Sequence, residues 1–212
     1  MPVFFAYILL AYLIGSVPTA IWYGRLFHQT DIRQHGSGNA GATNTIRTFG
    51  RKAGIIVLLI DIAKGSLGVL LPTWIGLLHG EWKVNTDLLH QPQLAYGLAA
   101  GLGHIYPIYE KFKGGKGVAT LFGVILALSP LVAACAVVAF VLLFIATKRV
   151  SVCSMASAVV FAVAFLVLNQ PLTTGDYLLT FTYPLLLFYT HRTNIQRLLN
   201  GTEPKLSLGK KK

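Results

Sequence analysis

Residues 118–147 read VATLFGVILALSPLVAACAVVAFVLLFIAT, without one charged side chain. As a single α-helix this stretch would be about 45 Å long at roughly 1.5 Å per residue. The hydrocarbon core of a bilayer is only about 30 Å thick. Ser129-Pro130 lies inside the run, and proline clashes with the turn before it and biases the preceding residue away from helix. The stretch is therefore predicted to form two short helices that turn at Ser129-Pro130. The first of them, Val118–Leu128, is too short to cross a full bilayer unaided and is expected to sit against neighbours or in a thinned region.

The rest of the chain agrees with a membrane setting. Of its 212 residues, 54% are hydrophobic and 12% charged, and the mean hydropathy is +0.63. An ordinary soluble domain carries about 25% charge, so disorder and a disulfide-stapled module are excluded and a water-soluble globule is disfavoured. Cys135 and Cys153 lie in apolar runs without CxxC spacing and read as small buried hydrophobes. Further apolar runs cover Val3–Tyr23, Ala53–Leu78, Leu94–Tyr109, Val152–Leu168 and Tyr177–Tyr189. The first has no basic leader and no small-residue cleavage site, as expected of a retained helix rather than a signal peptide.

Charge orients the spans. The Gly24–Lys52 loop carries Arg25, Arg33, Arg47, Arg51 and Lys52 against Asp31 alone, while the next holds Glu81, Lys83 and Asp87 with no basic excess. Lys111, Lys113 and Lys116 follow the third run. Basic loops face the cytoplasm. With a turn at Ser129-Pro130, every Lys and Arg except Lys83 and the intramembrane Lys64 falls on that side. The predicted fold is an all-α integral membrane protein in one polytopic domain, residues 1–212. It has seven transmembrane helices, some short, with the N-terminus outside and the C-terminus cytoplasmic. The Lys210–Lys212 tail reads as a topology and lipid-surface signal.

The cytoplasmic loops carry the chemistry. The first contains His35-Gly36-Ser37-Gly38-Asn39-Ala40-Gly41-Ala42-Thr43-Asn44, then Arg47. Glycines let the backbone approach a ligand closely, and successive N–H groups in such turns form anion-binding concavities. Ser37, Asn39, Thr43 and Asn44 add neutral donors, and Arg47 a bidentate fork. Gly36, Gly38 and Gly41 formally match GxGxxG, but that fingerprint has meaning only inside a βαβ unit. The second cluster runs from His104 through Lys113, Gly114, Gly115, Lys116 and Gly117 to a helix start, the composition of a phosphate cradle. It departs from a Walker A loop because Gly117 follows Lys116. A third set is Arg149, Ser151 and Ser154. In a fourth, His191, Asn194 and Leu198 share a helix face by i, i+3, i+7 spacing, with Arg197, Gly201 and Glu203 nearby. Asp61 and Lys64, at i, i+3 within the second run, either pair with each other or lend Lys64 to the cytoplasmic cluster as an anion contact.

These residues resemble the bacterial acyl-phosphate:glycerol-3-phosphate acyltransferase family over nearly the whole chain. The likeness starts at Gly15-Ser16-Val17-Pro18-Thr19 and takes in the Gly36–Asn44 block and Asp61-Ile62-Ala63-Lys64-Gly65. It continues through His104, Pro107 and Phe112 to Thr120, then Val150-Ser151, and ends at His191, Asn194, Ile195, Arg197, Gly201 and Glu203. Thr190, Tyr106 and Cys153 are mild departures. The resemblance implies a seven-helix enzyme of phospholipid synthesis in the bacterial inner membrane, with its active site on the cytoplasmic side. It would transfer a fatty acyl group from acyl phosphate to the 1-hydroxyl of glycerol 3-phosphate, giving lysophosphatidic acid and phosphate. Ser37, Arg47, Lys113, His191 and Asn194 are then expected to carry catalysis. Gly36, Gly38, Asn39, Gly41, Thr43, Asn44, Lys64, His104, Gly114, Gly115, Lys116, Gly117, Ser151 and Arg197 are expected to bind substrate, and Glu203 to hold structure.

Neither metal nor other cofactor is expected, and neither nucleic acid nor an obligate protein partner. Membrane lipid is expected to surround the chain. The hydroxyl proton of the acceptor would go to His191 or to a substrate phosphate oxygen. The rival reading, a transporter of an organic phosphate, would use the same cationic loops but needs polar groups lining a path to the far side.

Overall fold

The computed structural model describes residues 2–78 and 91–206. The expected outer loop with Glu81, Lys83 and Asp87 and the Lys210–Lys212 tail lie outside them. Among the described residues there are ten α-helices and no strand.

The first apolar run is two helices, not one: α1 (Pro2–Gly15) and α2 (Thr19–His28). Pro18 has no N–H to continue the ladder and biases Val17 away from helix, so carbonyls near the break lose their partners. The break is used. Lys64 Nζ donates to the Val17 carbonyl at 2.7 Å, and Thr19 Oγ1 donates to Asp61 at 2.8 Å. The Gly24–Lys52 loop likewise contains a helix, α3 (Ala42–Phe49), which stops at Gly50 before α4 (Arg51–Leu78) begins. The third run ends earlier than expected, as α5 (Gln91–Ile105), because the chain must leave helix ahead of Pro107.

Residues 118–147 divide at the expected point into α6 (Val118–Leu128) and α7 (Pro130–Thr147). Ser129 is extended, with φ −152° and ψ 92°, and Pro130 takes the first helical position, where a missing N–H costs nothing. The end of the chain follows as α8 (Val150–Leu168), α9 (Thr174–Thr190) and α10 (Arg192–Leu199). Asp176, the acid of an otherwise uncharged turn, closes a capping box with Thr173 at the start of α9.

α6 sits in the middle. Leu121, Val124, Ile125 and Leu128 join Val69, Leu94, Val132, Phe161, Phe165 and Tyr183 in the main buried cluster. Its approach to α4 is close enough that a Cβ on Gly65 or Gly123 would collide with the backbone of the other helix. Glycines at such crossings let apolar helices pack where lipid offers no hydrophobic drive. A helix enclosed by protein on most sides need not match the bilayer's thickness, so α6 is short without penalty.

The outer faces tell the opposite story. Leu131, Val138, Leu142 and Ile145 on α7 are exposed, as are Val159, Val163 and Val167 on α8. Such continuous apolar surface needs hydrocarbon as its solvent. Four segments are long and apolar enough to cross a membrane: Pro2–His28, Arg51–Ile75, Pro130–Thr147 and Val150–Leu168.

Candidate active site

The chemistry collects at one end of the bundle, where the α2–α3, α5–α6, α7–α8 and α9–α10 connections meet around a cavity of about 470 Å³. Three helices, α3, α6 and α8, begin on its wall, and none has a side-chain cap. Their first-turn N–H groups are orphans, and the positive ends of their dipoles add to the field. Gly117, at φ +83°, caps α6 in the left-handed region and turns the chain into that helix.

Side chains deepen the positive potential. Glu203, in the segment after α10, is 7% exposed and accepts from three partners: Ser151 Oγ at 2.7 Å, Asn194 Nδ2 at 2.6 Å and Arg197 Nε at 2.8 Å. Burial opposes ionisation of Glu203, but these hydrogen bonds outweigh it and hold the carboxyl below its usual range. The Asn194 amide is thereby oriented with its oxygen free, and that oxygen accepts from Lys116 Nζ. Arg197 is matched by Glu203. Among the described residues Arg47 donates to the Pro204 carbonyl alone, at 3.2 Å. Two cations, Arg47 and Lys116, therefore face the cavity without a carboxylate of their own among the described residues.

Their environment shifts them. Burial, with help from Arg197 and Arg47, pushes the Lys116 ammonium down to about 8. Burial first, then Lys116, pushes His191 down to about 4. Its Nδ1 lies 2.8 Å from the Leu187 carbonyl, which can only accept, so Nδ1 carries the proton and Nε2 the lone pair.

Behind this polar end the cavity continues as an apolar arm. Ile62 of α4, Phe122 and Ile125 of α6, Val137 and Phe140 of α7 and Leu187 of α9 line it. Polar mouth and apolar arm form one space. Sequence reasoning missed the arm, since its walls come from several helices, α8 with Ala158 included, whose apolar residues look alike in the chain. Asp61, expected as a partner for Lys64, also lines the cavity.

Most expected residues arrive together. Ser37, Gly38, Asn39, Gly41, Thr43, Asn44, Arg47, His104, Lys116, Gly117, Ser151, His191, Asn194, Arg197 and Glu203 all line the cavity. Asn44 does so with its amide fully engaged: Oδ1 accepts from Ser37 N at 2.8 Å, and Nδ2 donates to the carbonyls of Ile32 and His35. It shapes the loop. Gly36, at φ +58°, is part of the same turn, where a Cβ would strike Asn44 Oδ1. His104 reaches the wall while tied to its neighbours. Its Nδ1 lies 3.1 Å from Thr120 Oγ1 and 3.6 Å from Asp61, which joins α4, α5 and α6.

Others stand elsewhere. Lys64 is buried against Asp61, 2.8 Å away, and the Val17 carbonyl, as the pairing reading expects, and it does not line the cavity. Gly114 and Gly115 do not line the cavity, and their N–H groups donate to the Ile105 and His104 carbonyls at 3.1 Å. Lys113 lines a separate cleft, with Arg33 donating to its carbonyl oxygen.

Residues 5–201 match the family described as "Glycerol-3-phosphate acyltransferase". The chain is 45% identical over 207 residues to "Glycerol-3-phosphate acyltransferase 2" of a Bacillus cereus strain, covering 96% of this chain and 95% of that protein. It is also 45% identical to "Glycerol-3-phosphate acyltransferase" of Enterococcus faecalis, over 95% of this chain and 91% of the relative. Among solved structures it resembles PlsY (YgiH), an integral membrane glycerol 3-phosphate acyltransferase crystallised in its glycerol 3-phosphate form. That likeness has a TM-score of 0.81 and 32% identity over 96% of each chain. The lysophosphatidic acid form of PlsY matches with the same TM-score, over 97% of this chain.

Proposed function

Because the chain belongs to the glycerol-3-phosphate acyltransferase family, we propose that it transfers an acyl group from acyl phosphate to the 1-hydroxyl of glycerol 3-phosphate. Lysophosphatidic acid and inorganic phosphate are the products. The observation that carries this reading is the single cavity with a cationic mouth and an apolar arm. Both substrates bear phosphate, and only the donor bears an alkyl chain, so one end suits the headgroups and the other the tail.

In the proposed reaction, Arg47, Lys116 and the starts of α3, α6 and α8 hold the phosphates and stabilise the tetrahedral oxyanion. The acceptor oxygen forms the ester bond, the carbon–oxygen bond to the donor's phosphate breaks, and phosphate leaves. A base must take the hydroxyl proton. His191, pushed down to about 4, is a weaker base than a phosphate monoester, whose second pKa is about 6. The 1-hydroxyl therefore donates its proton to the glycerol 3-phosphate phosphate, while His191 Nε2, left with its lone pair, accepts from the 2-hydroxyl and so orients the acceptor. Transfer is direct. Ser151 is committed to Glu203 and the Cys153 thiol donates to the Arg149 carbonyl at 3.1 Å, which supports a scheme without an acylated side chain.

The full proposal places the site on the cytoplasmic side of the bacterial inner membrane in a seven-span chain, with α5, α6 and α9 as the crossings beyond the four long ones. Charge alternation between the loops supports it. A transporter would want polar lining through to the far side; the apolar arm speaks for acyl transfer instead. Purified protein given glycerol 3-phosphate should release phosphate and form lysophosphatidic acid from acyl phosphate, with sequential kinetics, and not from acyl-CoA. Turnover with acyl-CoA alone would overturn the donor; no transfer from either would overturn the reading.

A further inference from the structure

Apart from the central cavity, an open cleft is lined by Arg25, Asp31, Arg33, Glu110, Lys111 and Lys113. Its frame is rigid. The buried Glu110 carboxylate accepts from Arg25 Nη1 at 2.5 Å and Nη2 at 3.0 Å, and from Arg33 Nη2 at 3.0 Å. Asp31 accepts from Arg33 Nη2 at 2.6 Å and Nε at 3.0 Å, and from Arg25 Nη2 at 3.1 Å. The Asp31 carboxyl is held well below its usual range, chiefly by the Arg33 hydrogen bond, so Asp31 stays ionised. Two arginines are thus matched by two carboxylates.

Lys111 and Lys113 are not matched. Both are exposed, and among the described residues neither makes an ion pair. Arg33 Nη1 donates to the Lys113 carbonyl at 3.1 Å and Lys113 N to the Glu110 carbonyl at 3.1 Å, so the frame also clamps the lysine backbone. Lys111 and Phe112 both take left-handed φ, 54° and 60°, a conformation that costs energy for side chains of this size. The rim is apolar and aromatic. Tyr109 packs on Trp22 with ring centroids 6.1 Å apart, and both are exposed, as are Leu26 and Phe112. Such rings sit at the headgroup level of a bilayer.

We propose that this cleft binds the phosphomonoester headgroup of a membrane lipid, with Lys111 and Lys113 on the phosphate and the lipid's glycerol and upper chain against Tyr109, Trp22 and Phe112. Two uncompensated cations match a dianion, which a phosphodiester lipid does not supply. A soluble phosphate would leave the aromatic rim without a partner. The site stands on its own residues and does not depend on the reading of the central cavity.

The test uses the intact protein in detergent, with dioleoyl phosphatidic acid, phosphatidylglycerol and phosphatidylcholine added in turn and retention read by native mass spectrometry. Phosphatidic acid should be retained in preference to both others. Lys111→Gln with Lys113→Gln should lower its retention by about 30-fold, each lysine near a lipid surface contributing about fivefold. Lys52→Gln with Lys205→Gln removes equal charge outside the cleft and should leave retention unchanged. Equal loss in the two double variants, or equal retention of phosphatidic acid and either other lipid, would overturn the proposal. Lys111→Arg with Lys113→Arg, which keeps the charge and the exposed positions, should still retain phosphatidic acid; loss there would count against it as well.

Discussion

At the scale of single residues, the decision lies between lysines three positions apart. Lys113 and Lys116 share a glycine-rich loop, yet only Lys116 reaches the cavity and Asn194, while Lys113 opens on the cleft beside Arg33. A charge-assisted hydrogen bond contributes roughly 1.5–3 kcal/mol, so Lys116→Met should lower kcat/KM by about 10- to 100-fold. Lys113→Met should lower it far less. Steady-state assays with glycerol 3-phosphate varied check this, and an equal loss would restore Lys113 to the reaction. The Lys116 ammonium, pushed down to about 8 mainly by burial, is charged below that pH and neutral above it. Since kcat/KM reports the free enzyme, its profile should fall on the alkaline side with an apparent pKa near 8. Lys116→Arg keeps its charge throughout, and with it that alkaline fall should disappear.

At the scale of elements, the turn from α5 into α6 has a different reason for its glycines from the one expected. Gly114 and Gly115 were expected to bare their backbone to an anion. Their N–H groups instead close the turn onto His104 and Ile105. A Cβ on Gly115 would collide with the His104 ring and crowd the Ala40 carbonyl, the point where the two glycine-rich loops meet. Gly115→Ala should therefore destabilise the protein by about 1–3 kcal/mol, as overpacking does. A lowered melting temperature in detergent, alongside any rise in KM, would show it. Weakened substrate affinity with unchanged melting would return the residue to an anion-binding role.

At the scale of the whole molecule, topology depends on the Ser129-Pro130 break. If α6 and α7 are two crossings, Ser129 lies on the outer side and the α7–α8 connection on the same side as the cavity. Single cysteines at Ser129 and Lys148, in a chain with Cys135 and Cys153 replaced by alanine, should react with an impermeant thiol reagent from opposite faces of sealed vesicles. Labelling of both from one face would make residues 118–147 a re-entrant or single crossing and overturn the seven-span count.

The sequence by itself determined the membrane setting, the break at Ser129-Pro130, the family and the loops that carry polar chemistry. Each rests on local properties: apolar run length, the missing N–H of proline, the residue types within one loop. The sequence also singled out Asp61 and Lys64, because two ionisable groups in one apolar helix need each other. Pro18 splits the first run by the same local effect as Pro130, but only the tertiary structure decided that Lys64 donates to the Val17 carbonyl at the break. Folding also decided that Asn44 spends its amide on its own loop, and that the α5–α6 turn sends Lys116 inward and Lys113 outward. The apolar arm is decided at that level too, since it exists only where α4, α6, α7, α8 and α9 converge. Which way a loop side chain faces depends on contacts such as Arg33 with the Lys113 carbonyl, between residues far apart in the chain. Composition and spacing report what a segment contains; long-range packing decides what it meets.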